Sequence, residues 1–380
     1  MSTPTEIAGA QTTVHTVSTT SARVPERRRL TPNTTRREQV LLGACALSSF
    51  CLGWLLWTQL LPTQGAAGFL ALWYVSFLLL YFLSTVLTEG RLPAVDKVIT
   101  VIVMSGAVGL LVPLVLIIGF IVVRGIGGIT ATFFTQDLST TGTLDSGGGL
   151  AHALVGTLEQ VAIAVVISVP LGVMTAVFLN EVKGPLVRPV RIFVDAMSGV
   201  PSIVAGLFIY AVWIVQFGHG FSGFAASLAL AVLMLPTITR TAEEVLRLVP
   251  DGLREASLAL GAPEWRTTMR VVLPTARSGL ITAVILGVAR AVGETAPLIM
   301  TSFGATTMNV NPFDGAQASL PLSVYQLVSN PFASQQERAY AGAFILILTV
   351  LALFTLARLL GRKRKPRTSP RKFAILRRRK

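Results

Sequence analysis

The sequence predicts an all-α, polytopic membrane protein with about eight transmembrane helices. Of its 380 residues, 52% are hydrophobic and only 13% are charged, whereas about 25% of the residues of a typical soluble domain are charged. The apolar residues occur in long runs, and the charged residues lie between these runs. This layout is typical of a chain that crosses a bilayer several times, and it argues against a water-soluble globule.

Eight apolar runs are each long enough to cross about 30 Å of hydrocarbon as a helix. They comprise residues 40–61, 66–87, 98–123, 153–179, 192–216, 221–239, 278–302 and 340–361. The preceding residues 1–39 are polar and rich in Ser and Thr, so they predict a disordered cytoplasmic lead rather than a cleavable signal peptide.

The distribution of positive charge predicts the orientation of the chain. With the N-terminus inside, 29 of the 32 Lys and Arg residues fall on inward segments, while Arg124 and Arg338 fall on outward loops and Arg290 within a span. Because inward segments of membrane proteins are enriched in Lys and Arg, both termini are expected to face the cytoplasm of a bacterial cell. The net charge of +14 is therefore mostly topogenic.

The basic tail and the long outward loops define the remaining organisation. Residues 362–380 hold eleven basic residues and no acidic one, a pattern that favours binding to anionic membrane lipids over RNA, so no nucleic-acid partner is expected. Residues 124–150 and 303–338 form outward loops suited to an external partner. The first loop separates N-terminal membrane helices, 40–123, from a second membrane domain, 151–361.

The inward loop 240–277 predicts two short amphipathic helices. The first extends from Pro250 to Leu260 and ends at Gly261, because glycine readily adopts the backbone conformation that follows a helix. Pro263 starts the second helix, and Pro274 is expected to stop it before the next span. This pattern predicts a rigid docking element at the membrane surface.

This loop resembles the E-A-A loop of ABC importer permeases with a MetI-like, type I membrane core. The resemblance rests on Glu255-Ala256-Ser257, on Gly261 four residues later, and on Leu273-Pro274 after a further eleven residues. Ser257 and Val271 depart conservatively from the usual Ala and Ile. In this family the loop couples a separate ATPase to the membrane helices, so these residues are expected to form an ATPase-coupling loop.

The sequence contains no phosphate-binding loop of the G-x-x-x-x-G-K-[ST] type, and no Lys is followed by Ser or Thr. We therefore expect a transport subunit rather than an enzyme, with no catalytic residue and no cofactor. The two cysteines share one apolar run and the three histidines are scattered, so no metal site is expected.

The seventh span contains two charged residues, Arg290 and Glu294. Counted from Ser278, Arg290 lies roughly 18 Å along a helix, with Glu294 one turn further. Charged groups at this depth normally face protein, water or each other. A guanidinium there suits an oxyanion in a substrate path, because its planar fork matches phosphate or sulfate. A structural pin between helices is the alternative role.

Three further motifs resemble those of the phosphate-specific PstA permeases. They are A-R-x-x-G-E-T-A-P-L from Ala289, R-T-x-E-x-x-x-R-L-V-P from Arg240, and G-V-P-S-I-V-A-G-L from Gly199, within a resemblance that covers residues 98–357. The resemblance implies a substrate path that includes Arg240, Arg290 and Glu294. It also implies a sister permease PstC, two copies of the ATPase PstB, and an extracytoplasmic phosphate-binding protein PstS.

Two alternatives and one local ambiguity stay open. The chain could be an ABC permease for sulfate, molybdate or another oxyanion, or a secondary transporter driven by protons through Glu294 or Glu159. The segment 199–202 predicts either a capped start to the fifth span or a break that exposes helix amides to an anion.

Overall fold

The computed structural model describes residues 36–59, 65–145 and 147–361 of the chain. The predictions for residues 1–35 and for the basic tail 362–380 lie outside these residues. Fourteen α-helices account for most of the described part, in which no strand occurs. The all-α prediction is therefore confirmed.

The chain divides into two compact units, residues 1–111 and residues 112–380. The sequence had suggested a boundary at the loop 124–150, but the third helix continues across the division between the units. The helices of the first unit are α1 (Arg36–Gln59), α2 (Ala66–Glu89) and the first part of α3 (Arg91–Gly125).

The second unit contains the end of α3 and eleven further helices. They are α4 (Ala131–Thr135), α5 (Ala151–Glu181), α6 (Val187–Ser198), α7 (Ser202–Ile209), α8 (Gly223–Arg247), α9 (Asp251–Ala259), α10 (Glu264–Thr267), α11 (Leu273–Val292), α12 (Ala296–Thr301), α13 (Leu320–Val328) and α14 (Ala333–Gly361). Segments of π-helix extend α7 over Tyr210–Gln216 and join α10 to α11 over Thr268–Val272.

Seven described helices are long and apolar enough to cross a membrane, and a bent pair supplies an eighth crossing if it forms one span. The prediction of about eight spans is confirmed in this sense. Individual bounds differ from the prediction, most at the third span, which begins at Arg91 rather than residue 98, and at the seventh, whose helix begins at Glu264 and ends at Val292.

The fifth predicted span, 192–216, is not one straight helix. α6 and the α7 segment meet at an angle of 106°, with Gly199, Val200 and Pro201 between them. Proline disfavours a helical conformation in the residue before it, so Val200 cannot readily continue α6. α6 is also strongly amphipathic, with charged and apolar residues on opposite faces, which suits a position along an interface rather than across a membrane.

The core of unit 2 is the parallel packing of α5 against α8. Ser168 contacts Met234, and four residues later Gly172 contacts Ile238, where a Cβ atom on the glycine would lie 2.9 Å from the isoleucine methyl. Small residues of this kind allow close approach of helix backbones within a membrane. The tight pair provides a rigid support for the two sites described next.

Unit 1 has a smaller core, formed by Cys45, Phe77 and Tyr81. The Tyr74 and Ser105 hydroxyls are 2.5 Å apart, and the ring of Phe50 contacts those of Phe69 and Trp73. No predicted functional residue lies in this unit.

Candidate substrate cleft and coupling loop

A cleft of about 290 Å³ opens where three parts of unit 2 meet: the bend between α6 and α7, one face of α8, and the last turn of α11. Its walls include the two arginines that the sequence places in a substrate path, Arg240 and Arg290. The fold therefore brings together two residues that are 50 positions apart. The other residues that line the cleft are Met197, Ser198, Val200, Leu233, Pro236, Thr237 and Thr241.

The bend supplies part of the cleft wall through Val200. The helix is broken at segment 199–202, with Pro201 immediately before α7. The exposure of helix amides to an anion at this break stays a prediction. Ser198 at the end of α6 and Val200 in the bend both line the cleft.

Arg290 lies in the last turn of α11, and 52% of its side chain is exposed. Its Nη1 donates to Thr237 Oγ1 at 3.4 Å, and its Nε lies 3.7 Å from Glu294 Oε1. Both contacts are long for a guanidinium, whose five N–H groups can all donate. Most of the donor capacity of Arg290 is therefore available to an anion in the cleft.

The prediction of a continuous helix over 278–302 is wrong at Gly293, where α11 ends. Glycine has a low helix propensity, and Pro297 occupies the first turn of a new helix, α12, a position that proline favours. Glu294 lies in the break between these helices, with 19% of its side chain exposed. It still lies beside Arg290, although not on the same helix.

Arg240 is much more strongly paired than Arg290. Its Nη1 donates to Glu243 Oε2 at 2.9 Å, and its Nη2 forms an ion pair with Asp195 on α6. The two carboxylates balance its charge, so Arg240 presents less positive potential to the cleft than Arg290 does. This division between the two arginines is not evident from the sequence.

Glu243 is a central residue that sequence reasoning missed. Only 1% of its side chain is exposed, and its carboxylate pairs with Arg191 at 2.8 Å, Arg240 at 2.9 Å and Arg247 at 2.7 Å. A buried carboxylate needs such partners because burial removes its hydration. The helical spacing of residues 240, 243 and 247 could have revealed it, since these residues share one helix face.

The coupling loop folds as the two helices that were predicted, α9 and α10, around Gly261. Gly261 has φ +81°, a left-handed conformation that glycine adopts without the steric cost of a side chain. Across the corner, the hydroxyls of Ser257 and Thr267 are 2.8 Å apart. Glu255 and Ala256 are exposed on α9.

The expected stop at Pro274 is wrong, because the helix that begins at Glu264 continues without interruption to Val292. A π-helical segment over Thr268–Val272 precedes the proline. The wider turn accommodates a residue that lacks an N–H group, and the Thr275 hydroxyl donates to the Val271 carbonyl at 2.6 Å. Leu273 packs half-buried into the core, whereas Pro274 is exposed. The second half of the loop, from Glu264, is therefore continuous with α11.

Arg254, also missed by sequence reasoning, holds α9 against the end of α5. Its guanidinium donates to both oxygens of Glu181, at 2.9 and 3.3 Å, and to the carbonyls of Val249 and Leu246. The hydrogen bond with Glu181 raises the pKa of Arg254 above its ordinary value. Because Glu181 ends α5, the contact ties α9 to the central helix pair.

The outer surface of the loop carries large apolar side chains that are exposed. A group this dense is unusual on a surface unless another protein or a membrane covers it. The exposed residues and their exposures are Leu258 44%, Leu260 89%, Trp265 64% and Met269 60%.

Residues 168–366 match the model of a family described as binding-protein-dependent transport system inner membrane component. Among curated proteins, the chain is 45% identical over 245 residues to the phosphate transport system permease protein PstA of Mycobacterium leprae, covering 64% of this chain and 81% of that protein. It is 42% identical to PstA 1 of Mycobacterium tuberculosis H37Rv, covering 68% and 84%. An inward-facing structure of the MetNI methionine ABC transporter matches with a TM-score of 0.45 and 24% identity, covering 56% of this chain and 93% of that one.

Proposed function

Since the chain belongs to the family of PstA phosphate transport permeases, we propose that it forms half of the membrane path of an ATP-driven phosphate importer. The observation that carries this proposal is Arg290, a half-exposed guanidinium in a cleft of about 290 Å³ with few close partners. In such a site, N–H groups can donate to two phosphate oxygens at once. Thr237 and Thr241 supply hydroxyls beside it.

Arg240 has a supporting role in this proposal. Its pair with Asp195 holds α6 against α8, which fixes one wall of the cleft. Its pair with Glu243 orients the guanidinium along its own helix. Glu294 limits the positive charge around Arg290, so phosphate would be held but could still leave. A path needs both properties, because a site that binds too tightly blocks transport.

The coupling loop would dock a separate ATPase through its exposed apolar surface, with one ATPase copy beneath each permease. Closure of the two ATPases would move α9. Arg254 and the continuous helix Glu264–Val292 would pass this motion to α5 and to Arg290. The cleft would then change its access between the two sides of the membrane.

The proposed assembly contains a PstC-like sister permease, two PstB-like ATPase subunits and a PstS-like binding protein. The binding protein would meet loops 124–150 and 303–338, and both termini would face the cytoplasm. The placement of positive charges supports this orientation. Anionic lipids would contact the basic tail.

Phosphate uptake in cells that lack their own high-affinity system tests the substrate and the energy source. We expect the chain, expressed with its partner subunits, to restore uptake of radiolabelled phosphate that stops when ATP is depleted. An excess of sulfate or molybdate should not compete. Competition by either ion would assign the path to another oxyanion, and uptake that survives ATP depletion but fails with an uncoupler would indicate a proton-driven transporter.

The coupling role is tested by Gly261→Val, with Gly252→Val as the matched control. A β-branched residue is strained at φ +81°, so Gly261→Val should distort the corner and abolish uptake while the protein still inserts. Gly252 lies in α9, and a Cβ there meets open space, so its variant should retain most uptake. Normal uptake by Gly261→Val would refute the assignment of this loop.

A further inference from the structure

A second cavity, of about 240 Å³, lies at the end of unit 2 opposite the coupling loop. It opens among the first turns of α5 and α14, helix α13, and the segments before α5 and after α12. α5 separates it from the coupling loop, since His152 is at one end of this helix and Glu181 is at the other. Their separation of 29 positions corresponds to about 44 Å of helix.

Two basic side chains line this cavity and are nearly buried. His152 is 1% exposed and Arg338 is 7% exposed. Within the described part of the chain, neither ring nitrogen of His152 has a hydrogen-bond partner, and the same holds for Nε and Nη1 of Arg338. Buried polar atoms are nearly always paired in folded proteins, so a group of unpaired donors in one cavity indicates a ligand.

One nitrogen of the Arg338 guanidinium has a hydrogen-bond partner, which fixes the position of the group. Its Nη2 donates to the backbone carbonyl of Asp145. The three N–H groups on Nε and Nη1 have no acceptor among the described residues. These donors, with the ring of His152, can surround an ion that has several acceptor oxygens.

The acidic residues nearest to the cavity do not satisfy these donors. Asp137 accepts from the backbone and hydroxyl of Ser139 and from the backbone of Met308. Asp145 accepts from the backbone of Gly142 through its carboxylate. Both carboxylates accept from neighbouring loop groups, and neither accepts a hydrogen bond from Arg338 or His152 among the described contacts.

We propose that this cavity is a binding site for a small free oxyanion such as phosphate or sulfate, separate from the cleft at Arg290. The ligand class follows from the donors, because the arginine cation pairs with oxyanions and repels metal ions, and the ring of His152 can add one N–H donor. The polar residues Thr141, Thr306, Ser323, Gln326 and Asn330 complete a lining suited to a hydrated ion. A free ion fits better than the side chain of another protein, since both basic groups are nearly buried.

Under the proposed orientation this end of unit 2 faces outward, so the site would hold an anion on the side from which it arrives. Only this positional role depends on the proposed function. The binding claim does not, because it concerns donors and a cavity that are present in any orientation. The two can therefore fail separately.

The test measures equilibrium binding of radiolabelled inorganic phosphate to the purified full chain in phosphatidylcholine nanodiscs. All variants carry Arg290→Gln, so that the cleft does not contribute. We expect phosphate to bind this background, and binding to weaken roughly tenfold or more when Arg338→Gln is added, since this change removes the charge-assisted donors. His152→Gln should weaken binding less, because it replaces one neutral ring donor by an amide at a different position. Arg124→Gln, which changes an exposed arginine, is the matched control and should bind as the background does.

His152→Gln guards against a folding artefact, because the ring makes no hydrogen bond that its replacement could break. Its midpoint of thermal unfolding should match that of the background. Equal binding by the background, Arg338→Gln and His152→Gln would overturn the proposal. Acetate that binds where phosphate does not would also overturn it, as would loss of phosphate binding in phosphatidylglycerol nanodiscs, which would assign the cavity to a lipid headgroup.

Discussion

The underside of the coupling loop and the substrate cleft each contain one prominent arginine, and the two are paired very differently. Arg254 donates to both oxygens of Glu181 and to two backbone carbonyls, with 18% of its side chain exposed. Arg290 has contacts of 3.4 and 3.7 Å and is 52% exposed. An arginine whose donors are used holds helices together, whereas one whose donors are free can receive a ligand.

Arg240 falls between these two cases. It lines the cleft, as a ligand-binding residue would, but two carboxylates balance its charge. The comparison thus distinguishes Arg240, whose ion pairs stabilise the wall of the cleft, from Arg290, whose N–H groups are available to a ligand. The following predictions test this separation, from the largest expected effect to the smallest.

The largest effect on stability is expected for Glu243→Ala. The variant leaves Arg191, Arg240 and Arg247 around an empty position, and we expect the free energy of unfolding to fall by about 2 to 3 kcal/mol, since these arginines are partly exposed and can be rehydrated. The midpoint of thermal unfolding in detergent measures this loss.

Glu244→Ala is the matched control for Glu243. Its side chain is 68% exposed and contacts only Arg247, at 3.3 Å, among the described ion pairs. A surface pair of this kind contributes at most about 1 kcal/mol. Equal destabilisation by the two variants would contradict the central role of Glu243.

A smaller, local effect is expected for Arg254→Gln. The variant loses the ion pair with Glu181, so α9 should detach more often from α5. Amide hydrogen exchange over residues 251–267 should accelerate by about 10-fold, while the core of α8 stays protected. Arg266→Gln, an exposed arginine over the ring of Trp265, should leave the exchange unchanged. Unchanged exchange in Arg254→Gln would mean that the loop is held elsewhere.

The smallest effect is expected at Asp137, whose carboxylate accepts from Ser139 and Met308. These hydrogen bonds hold its pKa below the ordinary 3.8. Because the pKa is lowered in the folded state, the hydrogen bonds of Asp137 contribute to the free energy of unfolding. This contribution is complete above pH 3.8 and is lost as the pH falls through the pKa of the folded state. NMR titration of the Asp137 carboxyl checks the direction, and a value above 3.8 would contradict it. Asp137→Asn should leave the fold intact at pH 7.

The sequence predicted the helices and the loop well because their signals are local. Apolar runs indicate the spans, and Gly261 with Pro263 indicates the corner between α9 and α10. The same local reasoning was wrong at Pro274, because a π-helical turn, which depends on packing, accommodated the proline. It was also wrong at residues 192–216, where the bend at Pro201 changes a predicted span into two helices.

The charged residues show a similar limit. Arg290 was evident because a charge within an apolar run is costly and therefore conspicuous. Glu243 and Arg254 were not evident, because they lie in the predicted loop 240–277, where charged residues are common. Their importance depends on partners that are distant in sequence, such as Arg191 and Glu181. The spacing of Arg240, Glu243 and Arg247 indicates the part of this cluster that lies on one helix, whereas pairing across helices is a tertiary property that such spacing does not reveal.

The role of Arg290 in the path is tested by phosphate uptake through Arg290→Gln, compared with Arg277→Gln on the same helix. Arg277 is exposed near the start of α11 and lies outside the cleft, so its variant should transport phosphate at the normal rate. Arg290→Gln should insert normally and lose roughly 100-fold or more in uptake, because it removes a charged, bidentate donor from the path. Uptake equal to that of the unchanged chain would contradict a role in phosphate passage and make Arg290 a structural residue.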